Sequence, residues 1–275
     1  MTTPAHAPHP TYATQSIGLF LLASLVTALW LGLNVALPDL QATGIPSTIV
    51  RLTIHCLTLT GLWLGLTRTN ISDAARVRVW LAIAVPFTAW LAFVWWEAVI
   101  GGFLPRPGSP ALPIAIFLPV IIGLPVLLRS KHVGILLGAM PDWWMVALQA
   151  YRVFGGIFLV SWYRGNLSGA FAVSAGTGDV LVGLLALPVA YMLMAGAPRS
   201  RSAAIAWNIF GLIDFIIAIG IGIVSAPGPL QLIIPDRPNV QMGTFPTVMI
   251  PAFAVPSSIL LHALSLRQLI MRAKT

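Results

Sequence analysis

The stretch that decides the fold covers residues 175–214 and reads AGTGDVLVGLLALPVAYMLMAGAPRSRSAAIAWNIFGLID. It places two acids, Asp179 and Asp214, inside two long apolar runs that are separated by a short basic turn containing Arg199 and Arg201. An ionised carboxylate is costly in the hydrocarbon of a membrane, so acids at such positions face a partner or a water-filled cavity. The sequence therefore predicts a membrane fold that is arranged around satisfying these acids.

The composition of the whole chain indicates a protein dissolved in lipid. Of its 275 residues, 58% are hydrophobic and only 8% are charged, whereas soluble domains carry roughly 25% charged residues. The net charge of +8 does not indicate nucleic-acid binding, because the basic residues lie in short loops between apolar runs, where they set orientation in a membrane. We expect the lipid bilayer as a partner and no nucleic acid.

Eight apolar runs predict an all-α, polytopic integral membrane protein, since a spanning helix needs about 20 mostly apolar residues. The predicted helices cover residues 16–37, 47–66, 79–100, 111–128, 141–163, 172–195, 203–225 and 247–270. Residues 16–270 form the transmembrane domain, 1–15 a disordered cytoplasmic tail and 271–275 a cytoplasmic C-terminal tail. The apolar piece 133–140 is too short to span and is expected at the membrane interface.

Prolines suggest irregular helices and an internal repeat. Pro119 and Pro125 predict a kink or break in the fourth helix. The loops 104–107 (LPRP) and 234–238 (IPDRP) resemble each other and precede the fourth and eighth helices, as in two tandem four-helix halves. Chance similarity between proline-rich loops explains this equally well. The apolar stretch 230–234 is expected to act as an interfacial lid.

The charges of the loops predict the orientation. Eight helices place both termini on one side, and ten basic residues lie on that side against three on the other. Positively charged loops stay in the cytoplasm, so we expect a cell (inner) membrane protein with both termini cytoplasmic. The ten are Arg68, Arg76, Arg78, Arg129, Lys131, Arg199, Arg201, Arg267, Arg272 and Lys274, and the three are Arg106, Arg164 and Arg237.

Polar residues within the helices outline a column from the outer face to the midplane, judged from the helical rise of about 1.5 Å per residue. Arg152 and Asp214 fall at one depth, so an ion pair between them is geometrically possible. Each group also has a structural alternative, as glue between helices or as an interfacial anchor. The candidate substrate or proton pathway consists of Arg51, His55, Glu97, Asp179, Arg152 and Asp214.

Charge counting favours a transporter of a small molecule or ion, coupled to protons, with a polar cavity in the outer half of the membrane. Two arginines neutralise two of the three acids, and the remaining carboxylate must bind a proton if it is buried. In this hypothesis Asp179 and Asp214 hold the proton or substrate, Arg152 is the counter-ion and His55 is a relay. The same acid could instead stay protonated permanently.

Gly176-Thr177-Gly178-Asp179 resembles the GxGD signature of intramembrane aspartyl proteases, in which two aspartates share a water molecule. The resemblance covers four residues and implies a hydrolase that uses Asp179 and Asp214. In that family the GxGD aspartate comes second along the chain, whereas here Asp214 follows it. Ile213 also stands where that family has a tyrosine.

Two further alternatives remain from the sequence. A membrane redox protein could bind haem b through His55 and His262, although the predicted depths of the two rings differ by about 10 Å. An accessory membrane subunit without chemistry would have an apolar groove between its helices and every internal charge paired. We predict no catalytic residue, no metal site and no resident cofactor, and the sequence leaves homo-oligomerisation open.

Overall fold

A computed structural model describes residues 12–41, 43–104, 106, 109–226 and 230–273. Within these residues it confirms an all-α polytopic membrane architecture, with eight helices long and apolar enough to cross a membrane. In chain order, the first to eighth spans are Tyr12–Ala36, Ile45–Thr67, Asp73–Val99, Ala111–Arg129, Trp143–Tyr163, Gly169–Met194, Ser200–Ser225 and Ile250–Met271.

Several spans begin earlier than the apolar runs predict. Residues 12–15, which we expected in the N-terminal tail, are the first turn of the first span, and residues 1–11 of that tail lie outside the described residues. The third span begins at Asp73, because Ser72 caps it by accepting a hydrogen bond from the Ala75 amide at 3.3 Å. Polar residues thus extend helices beyond the stretch that hydropathy marks. The predicted C-terminal tail is helical at Met271, and residues 274–275 are not described.

The expected short apolar piece is a helix, Lys131–Ala139, that is too short to span. Ser130 caps it by accepting a hydrogen bond from the Val133 amide at 3.3 Å. The Gln268 amide group donates to the carbonyl oxygens of Leu137 and Met140, at 2.6 and 2.7 Å. These bonds hold the short helix against the end of the eighth span.

Contacts between the connections divide them into two faces of the bundle. On one face, which we call the terminal face, Arg272 pairs with Asp142 at 3.1 Å, and the Arg68 guanidinium lies 4.6 Å from the ring centroid of Trp144. On the opposite face, the loop face, Arg164 donates to the Pro38 carbonyl oxygen at 3.2 Å. The connections after the first, third, fifth and seventh spans belong to the loop face.

Departures from α-helical geometry occur away from the prolines of the fourth span. The chain remains α-helical from Ala111 to Arg129, through both Pro119 and Pro125, so the helix is not broken there, and the alternative of a kink stays a prediction. The fifth span instead contains a 3₁₀ segment, Gln149–Gly156. The eighth span opens with a π-helical turn, Ile250–Ala254. Both irregular segments adjoin the polar interior of the bundle, where such segments often serve function.

The proposed repeat and the expected interfacial lid both stay predictions. Pro105 and Pro107 of the first repeat loop lie outside the described residues, so the tandem halves stay a prediction. The apolar stretch Leu230–Ile234 lies on the loop face, where Leu232 and Ile234 are 83% and 90% exposed. It does not line the cavity described below.

Small residues allow the central spans to pack closely. A Cβ atom built on Gly183 of the sixth span would lie 2.5 Å from the Val153 backbone nitrogen in the fifth span. Trp207 of the seventh span donates its indole N–H to the Val182 carbonyl oxygen at 3.0 Å. The outward surfaces are apolar, as at Ile216 and Ile121, which are 70% and 66% exposed. Close backbone approach through small residues is the usual packing of helices in lipid.

We predict that Gly183→Ala destabilises the protein, because the added methyl group meets backbone that cannot rotate away. Overpacking of this kind costs about 1–3 kcal/mol. Gly61→Ala in the second span is the matched control, since nothing lies within 4 Å of a Cβ atom built there. Thermal unfolding in detergent should show a lower midpoint for Gly183→Ala alone, and equal midpoints would contradict the packing argument.

Candidate functional site

Arg152, in the 3₁₀ segment of the fifth span, is the centre of a buried polar cluster and is 2% exposed. Its Nε donates to Asp179 Oδ1 at 2.8 Å, and its Nη2 donates to Asp214 Oδ2. Its Nη1 donates to His262 Nε2 at 3.1 Å and to the Gly211 carbonyl oxygen at 3.4 Å. One guanidinium group therefore joins the fifth, sixth, seventh and eighth spans.

The hydrogen-bond partners of His262 determine its charge in this arrangement. Arginine can only donate, so Nε2 of His262 must accept and carries no proton. The Asn208 amide nitrogen donates to the Ala204 carbonyl oxygen at 2.8 Å and to Ser265 Oγ at 3.1 Å, which directs Asn208 Oδ1 toward His262. Nδ1–H of His262 then donates to Oδ1 at 2.9 Å. His262 is therefore neutral and orients Arg152.

Two glycines leave room for the carboxylates. A Cβ atom on Gly178 would overlap the Asp214 carboxylate, and one on Gly155 would lie 2.6 Å from Cβ of Asp179. Phe215 covers the cluster, with its ring centroid 4.0 Å from Cζ of Arg152, a distance at which the ring face attracts the cation. The glycine before Asp179 in the sequence therefore serves close packing between the sixth and seventh spans.

A cavity of about 70 Å³ separates this cluster from the loop face. Asp179 and Arg152 lie at its inner end, and Gln41 and Thr247 come from connections of the loop face. The polar residues that line it are Gln41, Ser47, Arg51, Tyr151, Arg152, Asp179, Thr247 and Ser258. Asp179 thus borders open space in a protein whose outer surface is apolar.

Arg51 lies in another wall of the same cavity and is 3% exposed. Its Nη1 donates to Ser47 Oγ and to the Pro246 carbonyl oxygen, the latter at 3.4 Å. Its guanidinium carbon lies 5.4 Å from the ring centroid of Trp95. The sequence allowed an anchor at the outer headgroups, whereas the structure places this arginine in the protein interior.

Two of the predicted pathway residues stay apart from the cluster. His55 is buried, with Nε2 3.1 Å from Thr88 Oγ1 and its ring stacked on Phe87 at 4.8 Å between centroids. Glu97 is half-buried near the end of the third span, beside Gly102. Neither residue lines the cavity. The structure therefore brings together Arg152, Asp179, Asp214 and Arg51, and it does not bring His55 or Glu97 to them.

Several polar partners were not anticipated from the sequence. Tyr151 OH bonds to Ser258 Oγ, and Ser258 Oγ also donates to Gln149 Oε1 at 2.9 Å. His262 and Asn208 were visible as polar residues within apolar runs, but only the packing of four spans shows that they orient Arg152. In the sequence, the polar residues Gln149 and Tyr151 just before Arg152 were the feature that could have indicated further polar partners in this part of the fifth span.

The geometry does not fit either enzyme alternative. Both ring nitrogens of His262 are engaged, by Arg152 and Asn208, so neither is free to bind haem iron. Asp179 and Asp214 are joined through a guanidinium group, whereas an aspartyl-protease pair shares a water molecule.

Comparison with protein-family models shows which family the chain belongs to. A family model described as "Domain of unknown function (DUF8737)" matches residues 109–270, which is more than half of the chain, so the protein belongs to this family. No curated protein and no solved structure matches the chain. The matched region contains Arg152, Asp179, Asp214 and His262, and Arg51 lies outside it.

We predict that Arg152→Met destabilises the protein by about 3–5 kcal/mol, because it leaves two buried carboxylates without their cation. The triple variant Arg152→Met/Asp179→Asn/Asp214→Asn removes all three charges and should recover most of that loss. Unfolding in detergent, followed by circular dichroism, measures both. A single variant as stable as the parent protein would show that the cluster is not an energetic unit.

Proposed function

We propose that this protein is a proton-coupled transporter of a small solute, and that Asp179 and Asp214 share the coupling proton around Arg152. The observation that carries the proposal is the position of Asp179, which belongs to an unbalanced buried cluster and also borders the cavity. A purely structural ion pair would need neither a second acid nor adjoining space. Transporter sites are commonly built near the middle of the membrane from irregular helices.

The charge balance of the cluster supports proton binding. Two carboxylates face one guanidinium group, so the cluster carries one surplus negative charge when both acids are ionised. Arg51 lines the same cavity but forms no ion pair with either aspartate. The other titratable groups nearby are neutral His262, which accepts from Arg152, and Tyr151, whose hydroxyl bonds to Ser258. Neither offsets the surplus charge. A proton on the aspartate pair does so, and burial favours its uptake.

The shape of the cavity supports access from the loop face. Gln41, Ser47 and Thr247 line its outer part, and Asp179 its inner end, so a proton and a small solute can meet within one space. The π-helical turn Ile250–Ala254 of the eighth span also contributes to the wall. A π-helical turn interrupts the regular ladder of hydrogen bonds, which gives the eighth span a place to bend.

A second candidate function, an accessory subunit without chemistry, is favoured by a different feature. An apolar groove of about 780 Å³ lies among the second, third, fourth, fifth and eighth spans and the short helix, with Leu62, Pro86, Pro119 and Leu260 in its walls. A partner helix or lipid could occupy it. The unbalanced cluster and its cavity have no purpose in this alternative, so we rank it second.

We propose the cell (inner) membrane as the location, with both termini in the cytoplasm, because ten basic loop and end residues lie on the terminal side and three on the loop side. The cavity then opens outward.

Asp179→Asn is expected to abolish coupling while preserving the fold. In the parent protein, pH-difference infrared spectra should contain the C=O band of a protonated carboxyl group, and reconstituted vesicles should take up small solutes when a pH gradient is imposed. Labelled lactate, glycine and urea form the test panel. Asp179→Asn should lose the band and the driven uptake, because Arg152 then balances the remaining Asp214 carboxylate, which no longer needs a proton.

Asp73→Asn is the matched control, since the Asp73 side chain is 92% exposed at the terminal face. It should retain both signals. Gradient-driven uptake by Asp179→Asn at the parent rate, or an unchanged carboxyl band, would contradict the proposal. If neither the parent protein nor Asp179→Asn takes up solute, and the carboxyl band is the same in both, the accessory role is favoured.

Topology is tested separately with fusions to the C-terminus. A fluorescent protein that matures only in the cytoplasm should be bright there, and alkaline phosphatase fused at the same point should be inactive. The reverse pattern would place the basic face outside and would refute the proposed orientation.

A further inference from the structure

Arg51 is a buried cation whose hydrogen bonding is incomplete. Its Nη1 reaches Ser47 Oγ and the Pro246 carbonyl oxygen, whereas Nε and Nη2 are buried and have no hydrogen-bond partner. Within the described part of the chain, no carboxylate forms an ion pair with Arg51; the pairs found there involve Arg76, Arg152 and Arg272. Buried charges in proteins are ordinarily paired, so Arg51 needs an anion that the described residues do not supply.

We propose that Arg51 binds the carboxylate of a small monocarboxylate that enters the cavity. This inference rests on the proposed transport function and names the class of its solute. Arg51 lines the cavity together with Asp179 and Tyr151, so a carboxylate bound to it is within the space that the aspartate cluster adjoins. The face of Trp95 adds a further contact to the cation, at 5.4 Å.

The two unpartnered nitrogens favour a carboxylate over a spherical anion. Nε and Nη2 lie along one edge of the planar guanidinium group, and their N–H bonds run parallel. This fork matches the two oxygens of a carboxylate, which can accept both hydrogen bonds at once. Both nitrogens are covered in this arrangement, so a carboxylate reaches them when a neighbouring wall side chain moves aside. The third nitrogen, Nη1, is held by Ser47 and Pro246 and so fixes the plane of the fork.

Cavity size and charge limit the rest of the solute. A volume of about 70 Å³ holds only a few water molecules and suits a solute of a few heavy atoms. Ile54 and Ile250 provide apolar wall, which suits a short aliphatic group. A second negative charge would meet Asp179 and Asp214, which already outnumber Arg152. One carboxylate at Arg51 and one proton on the aspartate pair add no net charge to the protein.

Acetate binding to the purified protein in detergent tests this assignment, with calorimetry and the fluorescence of Trp30, which lines the cavity, as readouts. Acetate should bind saturably. Acetamide, which has the same shape without the charge, and methylammonium should bind at least ten-fold more weakly. Arg51→Gln should weaken acetate binding at least ten-fold, and Arg78→Gln, an exposed arginine outside the cavity, should leave it unchanged.

Arg51→Lys is a second variant that keeps the test decisive if Arg51→Gln does not fold. Lysine keeps the positive charge but has no planar fork, so acetate affinity should fall several-fold while the protein elutes as the parent does on size exclusion. Asp179→Asn should bind acetate at least as tightly as the parent, because it removes a nearby negative charge. An Arg51→Gln variant that folds and binds acetate as tightly as the parent would overturn the carboxylate assignment, and an Arg51→Lys variant that does so would overturn the paired hydrogen bonds of the fork.

The remaining outcomes separate the two proposals. The monocarboxylate inference is overturned if the parent protein does not bind acetate, or if it binds glycine ten-fold more tightly than acetate. Proton-coupled transport still stands in that case if Asp179→Asn loses its carboxyl band and driven uptake. Arg51-dependent acetate binding, combined with an Asp179→Asn variant that keeps both signals, overturns the coupling role and leaves the binding site standing.

Discussion

The constraint on which the structure depends is that one guanidinium group must satisfy two carboxylates in a region surrounded by lipid. Arg152 meets it by directing Nε to Asp179 and Nη2 to Asp214, with Nη1 bound to neutral His262. These partners come from three different spans. The central bundle must therefore bring four backbones together around one side chain, and the close packing at Gly178 and Gly183 follows from that requirement.

The architecture could be predicted from the sequence because lipid imposes a simple rule on it. A run of about 20 apolar residues becomes a helix that satisfies its own backbone, and all eight spans followed from that rule. The nearness of Arg152 and Asp214 also followed, because helical rise alone sets the depth of a residue. Direction within the membrane came from loop charge and stays a prediction.

The remainder depended on contacts between spans, which apolar patterns do not encode. The fourth span keeps α-helical geometry through Pro119 and Pro125, whereas Gln149–Gly156, which contains no proline, is a 3₁₀ segment. Helix type at these points reflects tertiary packing. The same limit applied to Arg51: its depth near the outer end was expected, but only the structure shows that it lies within the protein and borders the cavity.

Two opposite charges border one cavity, and they belong to different parts of the chain. Arg51 comes from the second span, and the surplus negative charge comes from the fifth, sixth and seventh. Arg51 has no ion-pair partner among the described residues, whereas the aspartate cluster pairs with Arg152 and keeps one surplus negative charge. This gives the cavity a polarity along the line between Arg51 and Asp179, which orients whatever enters.

The glycine contacts between the central spans have a mechanical consequence. The fifth, sixth and seventh spans are in close contact at Gly155, Gly178 and Gly183. These three helices therefore cannot slide past one another without steric collision. A displacement of one of these spans must therefore carry the other two with it.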